Sequence, residues 1–429
     1  MHLNCHSWYS LRYGTLSVDS LVGEAVANGA GVLALTDINN STGIPEFVSA
    51  CTEAGITPIA GIEFRKDDRL LYTGLAANND GFRNLNEFLT HHNLNGLPLP
   101  DLAPPLDNVF FIYPLSNGFN RQSSIGNRPS LIGLRPSELT PLVLSRYRDL
   151  VPRMVVMAPV TFRNRKDYEL HRNFRAVDHN ILLSRLTPDQ VAAPDEVILS
   201  REAWERLRLD FPDIVSNTVR LAEACSIGFD FRSCKNRKTF TGDPYDDRVL
   251  LGKLAMDGLA YRYGQGNTEA RSRVRHELDI IDRMGFAAYF LITWDIIRYS
   301  MSRGFYHVGR GSGANSIVAY CLRITDVDPI ELDLYFERFI NPRRSSPPDF
   351  DIDYSWKERD EVIDYIFKRY GRQHTALLGA MSTFRDKSIY RELGKVHGLP
   401  KGEIDSFLKS PEEAVHKNHI IRKISELGE

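Results

Sequence analysis

Apolar and polar residues alternate between two periods along the first third of the chain. Leu16, Val18, Leu21, Val22, Ala25 and Val26 share one helical face behind Ser17, a candidate N-cap, and Gly29 and Gly31 end the run. The short apolar run VLALT follows and ends at Asp37, reading as a buried strand. The cycle repeats with a helix near Pro45–Ala54, the strand TPIAGIEF ending at Glu63, and LLYTGLA. This βα alternation predicts an α/β unit with a parallel sheet. Asp37 and Glu63 then stand after strand C-termini, where α/β barrels build their sites. Residues 94–130 are rich in Pro, Gly and Asn and read as two loops around the strand VFFIYPL. RMVVMAPVTF and a helix through Arg172 and Asn180 form another βα unit, followed by the helical stretch AWERLRLDFPDIVSNTVRLAEAC. KNRKTFTGDPYDD breaks the period and reads as a connector. From Asp246 to Met284 the pattern is helical and highly charged, and AAYFLITWDIIRYSMSRG follows.

A chain of 429 residues suggests about three structural units. Lys and Arg number 53 against 55 Asp and Glu, so any case for nucleic-acid binding must rest on local features and not on a global positive field. The five cysteines (Cys5, Cys51, Cys225, Cys234, Cys321) form no C-x-x-C pair, which argues against a zinc module and suits a reducing cytoplasm. No apolar stretch reaches the ~18 residues of a membrane span, and the first residues lack a secretory layout, so a cytoplasmic protein without membrane association is expected.

Chemistry concentrates in residues 305–354. Gly309, Gly311 and Gly313 surround Arg310 and Ser312, and an apolar helical run, Asn315 to Leu322, follows. Glycines let backbone N–H groups approach an anion, a following helix aims its positive end at it, and Ser and Arg add donors. The turn therefore reads as a phosphate cradle, although a Gly-rich turn before a helix is also ordinary loop geometry. Further on, Asp349, Asp351 and Asp353 alternate with Phe350, Ile352 and Tyr354, which in a strand puts three carboxylates on one face. Crowded carboxylates favour divalent cations between them, and oxygen donors favour Mg²⁺ or Mn²⁺; the alternative is an edge strand with a solvated acidic face. Cradle and carboxylates together are what nucleotidyl transfer needs.

The segments GFAAYFLITWDII, VGRGSGANSIVAYCLRITDVDPIELDLYFERFINP and PPDFDIDYSWKERDEVIDYI resemble the palm of the bacterial C-family replicative polymerases, the DNA polymerase III α subunits. The resemblance implies a multidomain protein of α/β and α+β class: a PHP-type distorted (β/α)7 barrel over 1–232, a polymerase-β-like nucleotidyltransferase palm over 233–380, and the start of a helical thumb over 381–429. It implies that Asp349 and Asp351 are two of three metal-binding catalytic aspartates for two Mg²⁺ ions. It further implies that Gly311 and Ser312, with Arg310 nearby, contact the incoming dNTP, and that Asp353 is a support position. His307 and Val308 depart from the family's usual Gly-Pro at that point. Primer-template DNA is the implied partner, with replisome proteins such as a sliding clamp bound by regions outside these residues. Arg343 and Arg344 are candidate DNA-phosphate contacts. Arg359 reads equally as a phosphate contact and as a helix-surface charge. The third aspartate is expected downstream of these residues, so the 429 residues alone are expected not to polymerise.

The segments HLNCHSWYSLRYG, ALTDINN and PIAGIEF resemble the PHP domain that opens those subunits, whose active relatives hold a metal cluster and cleave phosphoesters. Several ligand positions look lost: Asn4 and Tyr13 replace ligands, Ile38 and Leu71 stand where His is expected, and Pro159 and Thr161 occupy a later Asp-x-His pair. His6, Asp37 and Glu63 remain as a degenerate set. They could hold one metal weakly, but a structural barrel is preferred because Ile and Leu offer no lone pair. A phosphoesterase and a non-catalytic replisome scaffold are therefore the alternatives to a polymerase portion.

Overall fold

The computed structural model describes residues 1–115, 130–140, 146–233, 235–341, 349–385 and 387–409. By contacts the chain forms two compact units, Met1–Asp230 with Ser382–Glu429, and Phe231–Met381.

The first unit is built on a seven-stranded sheet in the order β1 (His2–Cys5), β2 (Val32–Leu35), β3 (Thr57–Lys66), β4 (Arg69–Ala76), β5 (Val109–Pro114), β6 (Leu131–Leu134) and β7 (Met154–Val156). β1–β2–β3 are parallel, as the βα repeats predict. β3–β4–β5 are antiparallel, which corrects the expectation of a uniformly parallel sheet. Only Asp67 and Asp68 join β3 to β4, with Asp67 in the left-handed region (φ 55°), and a link that short makes a hairpin and not a crossover. Pairing turns parallel again through β5, β6 and β7. Beyond β7 the chain returns to β1: Cys5 and Val160 form a parallel bridge, and His6 N–H donates to the Val160 carbonyl at 2.8 Å. The sheet is thus curled, with its first and last segments bridged.

Helix Val18–Ala27 is capped by Ser17, whose side chain accepts from Ser20 N–H, and it buries Val18, Leu21, Val22 and Ala25. Val26, assigned to the same face, is instead exposed. Helix Ile44–Ala54 packs Phe47, Val48 and Cys51 into the same core as Leu33, Leu35, Ile62 and Phe64. The late helical stretch of this unit divides at Phe211–Pro212 into Arg201–Asp210 and Pro212–Glu223, because proline tolerates only a first-turn position. Helices Lys387–Val396 and Lys401–Lys409 belong to this unit, and His397 Nε2 lies 2.8 Å from Asn173 Oδ1 on helix Arg165–His179.

In the second unit Pro244 opens helix Pro244–Tyr263 behind the N-cap Asp243, so the helix begins within the expected connector. Helices Thr268–Arg283 and Ala287–Ser302 follow, and Phe290, Leu291, Ile297, Val318, Phe339 and Ile340 fill the core. β8 (His307–Arg310) and β9 (Asp351–Tyr354) form an antiparallel pair on it, and helix Arg359–Tyr370 leads away from β9. Among the described residues, no helix is long and apolar enough to cross a membrane. The four described cysteines are buried.

Candidate functional site

β8 delivers the GRGSG turn and β9 the carboxylates. In register, Arg310 faces Asp351 and Val308 faces Asp353. Phe350, Ile352 and Tyr354 pack against the apolar core while Asp349, Asp351 and Asp353 are exposed. The strand begins at Asp351, and Asp349 lies just before it, short of the three-residue strand face read from the pattern. Helix Ala287–Ser302 fixes this segment. The Tyr289 hydroxyl accepts from Phe350 N–H at 2.9 Å, the Tyr289 and Phe350 rings stack at 5.3 Å, and the Ser300 and Tyr354 hydroxyls meet at 2.8 Å.

The turn itself is dictated by close approach. Gly311 has φ +71°, and a Cβ there would meet Asp351 Oδ2 at 2.6 Å; a Cβ on Gly309 would meet the Ile324 carbonyl oxygen at 2.1 Å. Gly311 and Ser312 are exposed. Arg310 donates from Nε to Asp353 at 2.7 Å, and its Nη1 lies 3.5 Å from Asp351 Oδ2, so Arg310 is held by the acidic strand. The hydrogen bond to Asp353 and the charges of Asp353 and Asp351 keep its pKa above the usual arginine value.

The helix after the turn does not present its positive end to a ligand. Gly311–Asn315 is a 3-10 turn, and the helix spans only Ile317–Cys321. Its amides of Ile317 and Val318 donate to the Glu277 carboxylate at 3.1 Å each, and Ser316 Oγ donates to it at 2.8 Å. Glu277 is fully buried, 3.6 Å from Arg273. Burial pushes its pKa up to about 7, against the pull of Ile317, Ser316, Val318 and Arg273 toward the charged form. An internal anion therefore takes the dipole end that the sequence pattern assigned to phosphate. Arg359 is exposed at the start of its helix and donates to Asp360. Arg343 and Arg344 lie outside the described residues.

The second cluster of interest lines a cavity of about 730 Å³ in the first unit. Glu63 lies within β3, which runs on to Lys66, and not after the strand's end. Its carboxylate accepts from Asn4 Nδ2 at 2.7 Å and from Arg65 Nε at 2.5 Å. His6 Nε2 approaches it at 3.1 Å without hydrogen-bond geometry. Burial raises the Glu63 pKa, but Arg65 and His6 outweigh it and hold the carboxyl well below its usual range. Arg65 also donates to the Tyr13 hydroxyl at 3.1 Å and lies over that ring at 4.4 Å. His6 Nδ1 meets Thr161 Oγ1 at 2.9 Å, Thr161 Oγ1 donates to buried Glu196 at 2.5 Å, and Arg135 donates to Glu196 at 2.8 Å. Asp37 lies apart from this chain of bonds. Ser7 N–H and Oγ donate to its two oxygens at 2.7 Å each, and Ser10 Oγ donates at 2.6 Å. Leu71, at a presumed ligand position, is core.

A profile of the PHP domain matches residues 2–109, and one of the bacterial DNA polymerase III alpha NTPase domain matches residues 249–427. An error-prone DNA polymerase of Symbiobacterium thermophilum is 34% identical over 95% of this chain and 42% of its own length. The DNA polymerase III subunits alpha of Escherichia coli K12 and Bacillus subtilis are 32% and 31% identical, over 95% of this chain and 39% of each subunit. The chain is similar to DNA polymerase III α subunits over nearly all of its own length. It spans about two fifths of the length of these curated relatives.

The GRGSG turn and the DFDID run, 35 or more residues apart in sequence, are brought side by side by β8–β9 pairing. Sequence reasoning missed Arg65, Arg135, Glu196 and Glu277. Arg65 left a signal, since it stands two residues after Glu63 on one strand, hence on the same face. Glu196, in a loop, Arg135, beside a short turn, and Glu277, inside a charged amphipathic helix, left none.

Proposed function

We propose that the chain is a portion of a DNA-directed DNA polymerase, adding dNTPs to a primer 3′ end on template DNA. The observation carrying this reading is the pairing of the exposed Asp349/Asp351 segment with the GRGSG turn inside the region similar to the NTPase domain. Under this reading β8–β9 belongs to a polymerase-β-like palm over 233–380, and the curled sheet is a PHP-type barrel. Asp349 and Asp351 offer hard, exposed oxygen donors, which fit Mg²⁺. Mg²⁺, when bound, supplies neutralisation of triphosphate charge and activation of the primer hydroxyl.

The chain's own residues set the geometry around that chemistry. Gly311 brings backbone against Asp351, so anything bound by the carboxylate is also beside the turn. Arg310, held on Asp353 through Nε, keeps Nη1 near Asp351, where the guanidinium can be shared with triphosphate oxygens. Beside Arg310 the turn offers its backbone and Ser312, and not the following helix end, because Glu277 occupies the amides of Ile317 and Val318. Primer-template DNA and replisome proteins, including a sliding clamp, are the partners this reading brings.

The barrel is a non-catalytic scaffold in the same reading, since its carboxylates are already bonded internally. The deciding experiment is primer extension by the longer polymerase chain that carries this segment. Asp349→Asn and Asp351→Asn should each abolish extension while leaving the fold intact; wild-type rates in either variant would remove the assignment. Phosphoesterase turnover that survives both changes and is lost in His6→Ala would favour the phosphoesterase instead.

A further inference from the structure

The barrel mouth keeps the anionic half of a metal site and supplies the cationic half from its own chain. Glu63 is 1% exposed and faces a cavity, a placement that is costly for a carboxylate without a cation against it. The cation present is Arg65. Its side chain is 12% exposed, its Nε is 2.5 Å from Glu63 Oε1, and its plane lies over Tyr13. Its backbone is clamped as well: Asn39 Oδ1 accepts from Arg65 N–H at 3.0 Å, and Asn39 Nδ2 donates to the Arg65 carbonyl at 2.9 Å. This grip falls at a register irregularity between Phe64 and Arg65, so the strand is locally shaped to seat the guanidinium.

The remaining groups agree. Asn4 turns its NH₂ to Glu63 and receives Thr36 Oγ at its oxygen, which puts a donor where a metal requires a lone pair. Both Asp37 oxygens are taken by Ser7 and Ser10. The second buried carboxylate, Glu196, has its own guanidinium in Arg135. The donor set around Glu63 thus does not fit a divalent cation while Arg65 is present.

We infer that the Arg65 guanidinium is a built-in replacement for a metal ion at Glu63, and that removing it restores divalent-cation binding by Glu63 and His6. The inference does not depend on the polymerase reading.

The test uses the 429-residue chain with Asp349→Asn and Asp351→Asn as background, so that the palm carboxylates do not contribute. Thermal unfolding and metal content after dialysis are measured with Mn²⁺ and with EDTA, before and after Arg65→Met. The background chain should retain no Mn²⁺ and melt at one temperature in both solutions. Arg65→Met should melt several degrees lower in EDTA, recover part of that shift in Mn²⁺, and retain stoichiometric Mn²⁺, with uptake lost on adding His6→Ala. Equal Mn²⁺ shifts with and without Arg65, or no Mn²⁺ uptake by Arg65→Met, would overturn the inference. If Arg65→Met is insoluble, expression with added Mn²⁺ decides: soluble, Mn²⁺-loaded chain supports it, and insolubility in both media counts against it.

Discussion

The barrel mouth and the β8–β9 turn both gather carboxylates that a family resemblance ties to metal ions, yet their surroundings are opposite. Glu63 and Glu196 are buried and each is met by a guanidinium, whereas Asp349 and Asp351 are exposed just before and at the start of β9. The difference teaches that acidic residues alone do not define a metal site. What matters is whether their charge is already neutralised by the fold. Buried carboxylates cannot wait for an ion, because desolvation makes an unpaired charge expensive through every moment of folding. Exposed ones can, because water bears the cost. Among the described residues, the cation near Asp351 is Arg310, at 3.5 Å and anchored chiefly on Asp353, a looser arrangement than Arg65 on Glu63.

Substitutions can break that contrast, and the largest effect is expected at the β8–β9 turn. In a polymerase chain carrying this segment, Asp351→Asn should lower nucleotide incorporation by on the order of a thousandfold with little change in melting temperature, read by single-turnover primer extension. Glu63→Gln should do the reverse. It leaves Arg65 buried without its partner at a cost of about 3–5 kcal/mol, measured by urea unfolding, while incorporation per folded molecule is unchanged.

Acid should sharpen the comparison. His2 and His171 are buried, and burial lowers both to about 4. His171 receives Ala192 N–H at Nε2 and meets the Tyr13 carbonyl at Nδ1, a pattern that suits the neutral ring. Because the folded pKa lies below the unfolded value of 6.5, their stability contribution is complete above pH 6.5 and is lost as pH falls toward 4. The loss is on the order of 3 kcal/mol per histidine. Trp204, edge-on to His2 at 5.8 Å, gives a fluorescence readout for that region. A barrel whose unfolding free energy is flat between pH 7 and 4.5 would contradict this.

Glu277 should give a smaller effect of opposite sign in the second unit. Its folded pKa of about 7 lies above the unfolded value of 4.5, so its contribution is present at low pH and lost as pH rises from 4.5 to 7. The stability difference between wild type and Glu277→Gln should shrink by about 2 kcal/mol across that window in paired denaturation curves. The smallest effect expected is that of Gly311→Ala, about 1–2 kcal/mol from its left-handed backbone, accompanied by displacement of Asp351. Nucleotide affinity should fall more than stability does, which titration of dNTP binding can separate from the melting curve.

Local physics made much of this protein legible in one dimension. The N-cap Ser17, the Gly29 stop, the alternation of Asp351 and Asp353 with Ile352 and Tyr354, and the GRGSG turn all depend on neighbours within a few residues, and the structure shows each. Ile38 and Leu71 likewise offer no side-chain lone pair to a metal wherever they fold.

Other features were decided only by tertiary structure. The hairpin that makes β3–β4 antiparallel depends on a two-residue link that hydrophobic periodicity does not weigh. The fate of the helix after GRGSG depends on Glu277, some 40 residues upstream, whose helical pattern gives no hint that it will be buried against those amides. Arg135 and Glu196 meet across 61 residues of chain. Sequence determines which groups can donate, accept or carry charge; the fold determines which of them reach each other, and desolvation then fixes whether a carboxylate is satisfied from within or left open to an ion.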